Sequence, residues 1–131
     1  MVDSSALVAI LLREPETETF TAAVLDASRC SIGAPSYLET VMVPVWRHGP
    51  PARGAVDRLI VEIAAEVVAF TPDQARHAVE AFMRYGKGRG HPANLNSGHC
   101  CSYALAVEAG SPLPFKGDDF AHTDVVPALG R

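Results

Sequence analysis

Apolar and polar positions fall into blocks that read as short strands separated by helices. Val2 is the only clear apolar residue before Asp3, so a first strand there is very short. Ser4 can cap the helix that follows, in which Ala6 to Leu12 are all apolar, as expected for a helix lying directly on a sheet. Glu14-Pro15-Glu16 breaks this run, and Pro15 among acidic neighbours suits the first turn of a second helix reaching about Ala27. Cys30-Ser31-Ile32 reads as a short strand. Pro35 then opens a third helix, where Tyr37, Leu38, Val41, Met42 and Val45 recur near the helical period, and His48-Gly49-Pro50-Pro51 ends it.

Arg53 to Ala64 is amphipathic through Val56, Leu59, Ile60 and Ile63. Glu66 to Phe70 looks like a strand. Thr71-Pro72-Asp73 supplies a cap and an N-terminal proline for a helix running to about Tyr85. Gly86-Lys87-Gly88-Arg89-Gly90-His91-Pro92 predicts a long loop, followed by a helix from about Gly98 to Ala109 closed by Gly110. Leu113 to Phe115 reads as a strand, Lys116 to Phe120 as a turn, and Val125-Val126 as a final short strand. Strands alternating with helices predict an α/β fold with a largely parallel sheet.

Length and composition narrow the field without naming an activity. A chain of 131 residues, 48% hydrophobic and 20% charged, predicts one globular domain spanning residues 1–131. No apolar run approaches the roughly 18 residues of a membrane span. The opening Met-Val-Asp-Ser-Ser lacks the basic region of a secretory signal. Three cysteines, two of them the neighbours Cys100 and Cys101, do not suggest a disulfide framework, so a reducing cytoplasm is expected. The formal charge of −4 argues against nucleic-acid binding by bulk charge alone. Its distribution qualifies that conclusion. None of the fifteen acidic residues lies between Ala81 and Val107, a window holding Arg84, Lys87, Arg89, His91 and His99. The window reads either as an anion-facing loop or as a solvated basic turn.

Carboxylates supply the candidate chemistry. Ligands of parallel sheets gather at the carboxyl ends of strands, where Asp3 stands beside the hydroxyl of Ser4 or Ser5. A plain helix cap is the alternative role for Asp3. Asp118 and Asp119 follow the Leu113–Phe115 segment in the same sense, or are ordinary turn residues. Glu39, in the third helix, faces either solvent or the same pocket. Converging carboxylates repel one another unless a cation joins them, and hard cations such as Mg²⁺ prefer oxygen ligands. Such a site suits metal-assisted phosphodiester hydrolysis.

These residues carry a family resemblance. The opening Val2-Asp3-Ser4-Ser5-Ala6-Leu7-Val8-Ala9-Ile10-Leu11 resembles the start of PIN-domain ribonuclease toxins of the VapC type. Ala34-Pro35-Ser36-Tyr37-Leu38-Glu39 is similar to the segment carrying that family's helical acid. The tail is more specific still. It combines Gly86-Lys87-Gly88, His91-Pro92-Ala93, Leu95-Asn96, Gly98, Tyr103-Ala104-Leu105-Ala106, Phe115-Lys116-Gly117-Asp118-Asp119-Phe120 and His122-Thr123-Asp124. The resemblance spans essentially the whole chain. It implies a PIN-like three-layer α/β/α sandwich with a short, mostly parallel central sheet. It also implies Mg²⁺- or Mn²⁺-dependent endoribonuclease activity, a cognate VapB antitoxin, a homodimer, and a bacterial or archaeal cytoplasm.

Carried over by residue, Asp3 matches the first metal-binding acid, Glu39 the second, and Asp118 or Asp119 the neighbourhood of the fourth. The third is where the chain departs: Gly98-His99-Cys100 stands where the family usually has Gly-Asp-Cys or similar. Imidazole suits Zn, Cu, Ni or Fe better than Mg²⁺, and the exchange removes one negative charge from the site. The expectation is therefore a weakened Mg²⁺ site and an attenuated or inactive ribonuclease. The alternative is a catalytically degenerate PIN binding module that still docks its antitoxin and RNA. A natural degenerate toxin, a deliberate substitution and a changed metal preference all fit His99. Arg84, Lys87, Arg89 and His91 are candidate phosphate contacts, with local packing as the alternative for His91. Cys100 and Cys101 lack zinc-ligand spacing and read as small buried residues. Tyr37 and Trp46 read as core or interface. The stripes Leu38/Met42/Val45 and Val56/Leu59/Ile63 suit core, antitoxin groove or homodimer, with core as the default.

Overall fold

A computed structural model describes residues 1–129. Its helices are α1 (Ser4–Leu11), α2 (Thr17–Leu25), α3 (Ala34–His48), α4 (Ala52–Glu62), α5 (Pro72–Tyr85) and α6 (Ser97–Glu108). Strands β1 (Cys30–Gly33) and β2 (Ala65–Val68) pair in parallel, with Ile32 opposite Val67. A 3-10 turn covers Asp119–His122.

The sheet extends beyond its two regular strands through single hydrogen bonds. Val2 N–H donates to Ser31 O at 2.9 Å, and Asp3 N–H to Pro114 O at 3.2 Å. Leu113 then bridges Pro127 in parallel, its N–H donating to Val126 O at 2.9 Å. The strands expected at Val2, Leu113–Phe115 and Val125-Val126 are thus extended segments held by one or two bonds each, too short to form ladders. β2 occupies residues 65–68 rather than 66–70. α2 begins at Thr17, because Pro15 lies in the turn before it and the Thr17 hydroxyl donates to Ala9 O and Glu14 O.

Adjacent residues of β1 face opposite sides, which separates two cores. Ile32 packs with Val2, Leu7, Phe20, Val24 and Leu59 beneath α1, α2 and α4. Gly33 meets α6, and a Cβ there would overlap the Leu105 side chain. On that side Ala81, Tyr85, Leu95, Tyr103, Leu113 and Phe120 form the second core under α5 and α6. Burying a side chain such as Leu7 in this way stabilises the fold by about 1.5–3 kcal/mol.

α3 touches α1, α4 and α6, and it turns an unexpected face inward. Its buried residues are Ser36, Thr40 and Pro44, while Leu38, Met42 and Trp46 are exposed. The reason is close helix packing against α6, where Ser36 Oγ and Ser102 Oγ lie 2.9 Å apart and hydrogen-bond. Thr40 satisfies its hydroxyl within the helix by donating to Ser36 O at 2.7 Å. Of the two stripes expected to be core, Val56/Leu59/Ile63 is buried, whereas Leu38 and Met42 of the other are not. No helix among the described residues is long and apolar enough to cross a membrane.

Candidate metal centre

Asp3 both caps a helix and faces the site. Its Oδ2 accepts from Ser5 N–H at 2.9 Å and from the Ser5 hydroxyl at 2.5 Å, closing the N-terminus of α1. Ser5 Oγ in turn accepts from Lys116 N–H at 3.0 Å, tying the cap to the chain that leads into the Asp118-Asp119 turn. The side chain of Asp3 is wholly buried, yet Oδ1 has no hydrogen-bond partner. Leaving such an oxygen unsatisfied ordinarily costs at least about 1–3 kcal/mol, so the folded chain holds this group at some expense.

Glu39 arrives from α3, half-buried. The Ser4 hydroxyl donates to its Oε2 at 2.8 Å, so α1 positions two acids through consecutive serines. The opposite wall is the first turn of α6. A Cβ at Gly98 would overlap Glu39 Oε2, which leaves glycine as the residue that admits the carboxylate there.

His99 completes the arrangement from that same turn, its backbone N–H donating to the Asn96 cap at 2.8 Å. The side chain is only 12% exposed. Nε2 lies 3.9 Å from Asp3 Oδ2, and Nδ1 lies 3.1 Å from Asp119 Oδ2 without the alignment of a hydrogen bond. The ring rests on Phe120, with centroids 4.9 Å apart, and Phe120 rests on Phe115 at the same spacing. Asp119 is turned towards His99, whereas Asp118 is exposed and borders a cavity with Leu113, Phe115 and Val125.

His99 thus lies between Asp3 and Asp119, Glu39 meets the same turn of α6 at Gly98, and Asp118 stands apart. Among the described residues, no three His, Cys, Asp or Glu side chains are grouped closely enough to form a ready metal shell. The donor chemistry still suits a divalent cation. A buried, unpartnered carboxylate oxygen is an atom that such an ion would satisfy, and Glu39 and Asp119 add further oxygens. Imidazole is the one donor that departs from an all-oxygen Mg²⁺ shell.

The acid-free window divides as sharply. Gly86 to Leu95 forms a closed loop whose neck is the Gly86–Leu95 bridge, with Lys87 N–H donating to Leu95 O at 2.9 Å. Gly88 and Gly90, both at φ +79°, make turns that other residues rarely adopt. Lys87 and Arg89 are exposed and have no side-chain partner among the described residues. Arg84 instead lies over the Tyr85 ring and 3.8 Å from Asp124. His91 packs edge-on against Tyr85 at 5.0 Å, and its Nδ1 accepts from Ala93 N–H at 3.2 Å. Neither of these two reaches the acids in the described contacts.

Three supports escaped the sequence reading. Asn96 as the α6 cap was legible in principle, since it stands directly before the helix. The ion pairs of Lys116 with Glu14 at 2.6 Å and Glu16 at 3.0 Å join distant segments and leave no local signal. The same is true of the bond from the Tyr103 hydroxyl to Asp124 Oδ1 at 2.6 Å. The cysteines are unpaired, and burial pushes the Cys100 thiol up to about 11.

Comparison with known proteins follows this geometry. The PIN domain family profile matches residues 1–126. Ribonuclease VapC42 of Mycobacterium tuberculosis is 43% identical over 128 residues, covering 98% of each chain. Ribonuclease VapC30 of the same organism is 46% identical over 125 residues, covering 95% of each. Among solved structures, M. tuberculosis VapC20, described as a sarcin-ricin loop cleaving toxin, superposes with a TM-score of 0.77 over 95% of both chains. At 17% identity, that last likeness speaks to the fold.

Proposed function

The chain belongs to the PIN-domain family, among relatives named VapC ribonucleases, and from that premise we propose that it is an endoribonuclease toxin whose catalysis His99 attenuates. The observation that carries this reading is the position of His99, beside buried Asp3 and against Asp119, where the resemblance calls for a carboxylate. RNA phosphodiester hydrolysis needs a polarised water and stabilisation of charge developing on the phosphate. A divalent cation supplies both when bound.

The residues divide the remaining work. Asp3, Glu39 and Asp119 would hold the ion, with His99 in its shell. Ser5 keeps Oδ2 of Asp3 occupied, which leaves Oδ1 as the buried oxygen without a partner. Ser4 fixes Glu39 in the same manner. Lys87 and Arg89 would hold the RNA backbone by charge and leave base identity unread. Asp118, Arg84 and His91 take supporting places outside this set.

Cytoplasmic action, a VapB-type antitoxin and a homodimer complete the proposal. The uncovered Leu38, Met42 and Trp46 ridge on α3 supports a protein partner of some kind. The deciding measurement is cleavage of RNA by the purified protein in Mg²⁺ and in Mn²⁺, beside His99→Asp. Restoring the carboxylate should raise Mg²⁺-dependent cleavage at least about tenfold, since one metal ligand is worth well over 1.4 kcal/mol of barrier. Equal metal-dependent rates in both proteins would refute the attenuation. Failure of both to cleave would favour the degenerate binding module.

A further inference from the structure

Two buried atoms of the acid site lack hydrogen-bond partners, Oδ1 of Asp3 and Nδ1 of His99. Buried polar atoms are rarely left so, and an ion or a water is the usual reason. The two atoms differ in chemistry. A carboxylate oxygen serves any divalent cation, whereas a neutral imidazole nitrogen serves borderline transition ions and serves Mg²⁺ poorly. We infer that this site has exchanged an all-oxygen shell for a mixed one that selects borderline transition ions such as Co²⁺, Ni²⁺ and Zn²⁺ over Mg²⁺, with His99 as the nitrogen ligand beside Asp3. The inference rests on reading the site as a cation centre and adds to it the identity of the ion.

Geometry supports this in two ways. Nδ1 stands 3.1 Å from Asp119 Oδ2 without forming a hydrogen bond, close to the roughly 3 Å that separates two ligands sharing one ion. The other ring nitrogen, Nε2, lies 3.9 Å from Asp3 Oδ2, so the ring as oriented presents one nitrogen to each carboxylate. Asp119, partly exposed, has room to swing onto an ion held by Asp3 and His99. Competing soft donors are poorly placed. Cys100 is buried, and Cys101 borders Glu39 and Gly98 on another face of α6. His91 is engaged with Tyr85 and Ala93, and His48, His77 and His122 sit exposed on other segments.

The test is metal binding by the full chain, read by calorimetry with MgCl₂ and CoCl₂ separately. Co²⁺ should bind on the order of 100-fold more tightly than Mg²⁺, and His99→Asp should narrow that ratio by about tenfold or more. Carboxylate sites also favour Co²⁺, so the change between proteins decides the matter. Pulsed electron paramagnetic resonance of the Mn²⁺-loaded protein should show imidazole-nitrogen coupling that both His99→Asp and His99→Gln abolish. The glutamine variant keeps the side chain's bulk should the aspartate variant fold poorly. An unchanged ratio in His99→Asp, or no nitrogen coupling in the parent protein, would overturn the inference. Neither readout involves RNA, so the nuclease reading stands or falls separately on cleavage.

Discussion

The acid site and the basic loop place charge in opposite ways. In the acid site, serines hold Asp3 and Glu39, Phe120 backs His99, and Asp3 has no contact with solvent. In the loop the backbone is fixed by its neck and turning glycines, while Lys87 and Arg89 project freely. Charge fixed in a low-dielectric pocket responds to the exchange of one atom. Charge displayed in water acts through its number and is screened by salt. The acid site should therefore control rate and ion choice, and the loop should control how tightly RNA is held.

The largest effect expected of this contrast comes from Asp3. Asparagine at that position keeps the helix cap, so the fold should survive, while the anionic oxygen is lost. In a His99→Asp background, Asp3→Asn should lower cleavage on the order of 10³-fold, the worth of several kcal/mol at the metal site. Circular dichroism and a thermal midpoint near that of the parent would show that the fold is kept. Undiminished cleavage would remove Asp3 from the chemistry and dissolve the comparison.

A smaller effect is expected in the loop. Replacing Lys87 and Arg89 together by alanine should weaken binding of an RNA oligonucleotide and flatten the slope of log K against log salt by about 1.4, two single-strand phosphate contacts. Fluorescence anisotropy across a salt series reads this directly. Arg84→Ala and His91→Ala sharpen the result, because both lie in the same acid-free stretch yet are engaged by Tyr85. Each should leave the slope unchanged and cost about 1 kcal/mol of stability, the usual worth of such ring contacts. A flattened slope in either would extend the RNA-facing surface beyond the loop tip.

The two regions were also unequally legible in sequence. Asp3, Glu39 and His99 stood at positions set by local signals, namely a strand end, a helix face and a helix start, and the fold places His99 beside Asp3. Which of Asp118 and Asp119 turns towards His99 was not a local matter, because the adjacent Phe120 packs on Phe115 and His99. Composition likewise grouped Arg84 and His91 with Lys87 and Arg89, although tertiary contacts absorb the first pair. Helix positions followed from apolar runs and caps, but the face of α3 did not. Its hydrophobic stripe is exposed, because close approach to α6 requires Ser36 and Thr40 on the inside. The three edge segments read as strands are extended but held by only one or two bonds each, because they are too short for a ladder.

The smallest effect tests the seam between the regions, where Tyr103 of α6 donates to Asp124 and Arg84 of α5 lies nearby. The Tyr103 hydrogen bond holds the Asp124 carboxyl below its ordinary value. Burial, then the same bond, holds the Tyr103 phenol above its own. A lowered acid stabilises the fold above the unfolded Asp value and loses that contribution as pH falls through the folded one. A raised phenol contributes below the unfolded Tyr value and loses it as pH climbs towards the folded one. One bond thus supplies an acid limb and an alkaline limb. Tyr103→Phe should lower stability at neutral pH by about 1 kcal/mol, a charged hydrogen bond discounted for the exposure of Asp124. Urea midpoints of the two proteins should converge below the ordinary Asp range and again above the ordinary Tyr range. A difference constant across pH would mean that packing, rather than the bond to Asp124, is what the hydroxyl contributes.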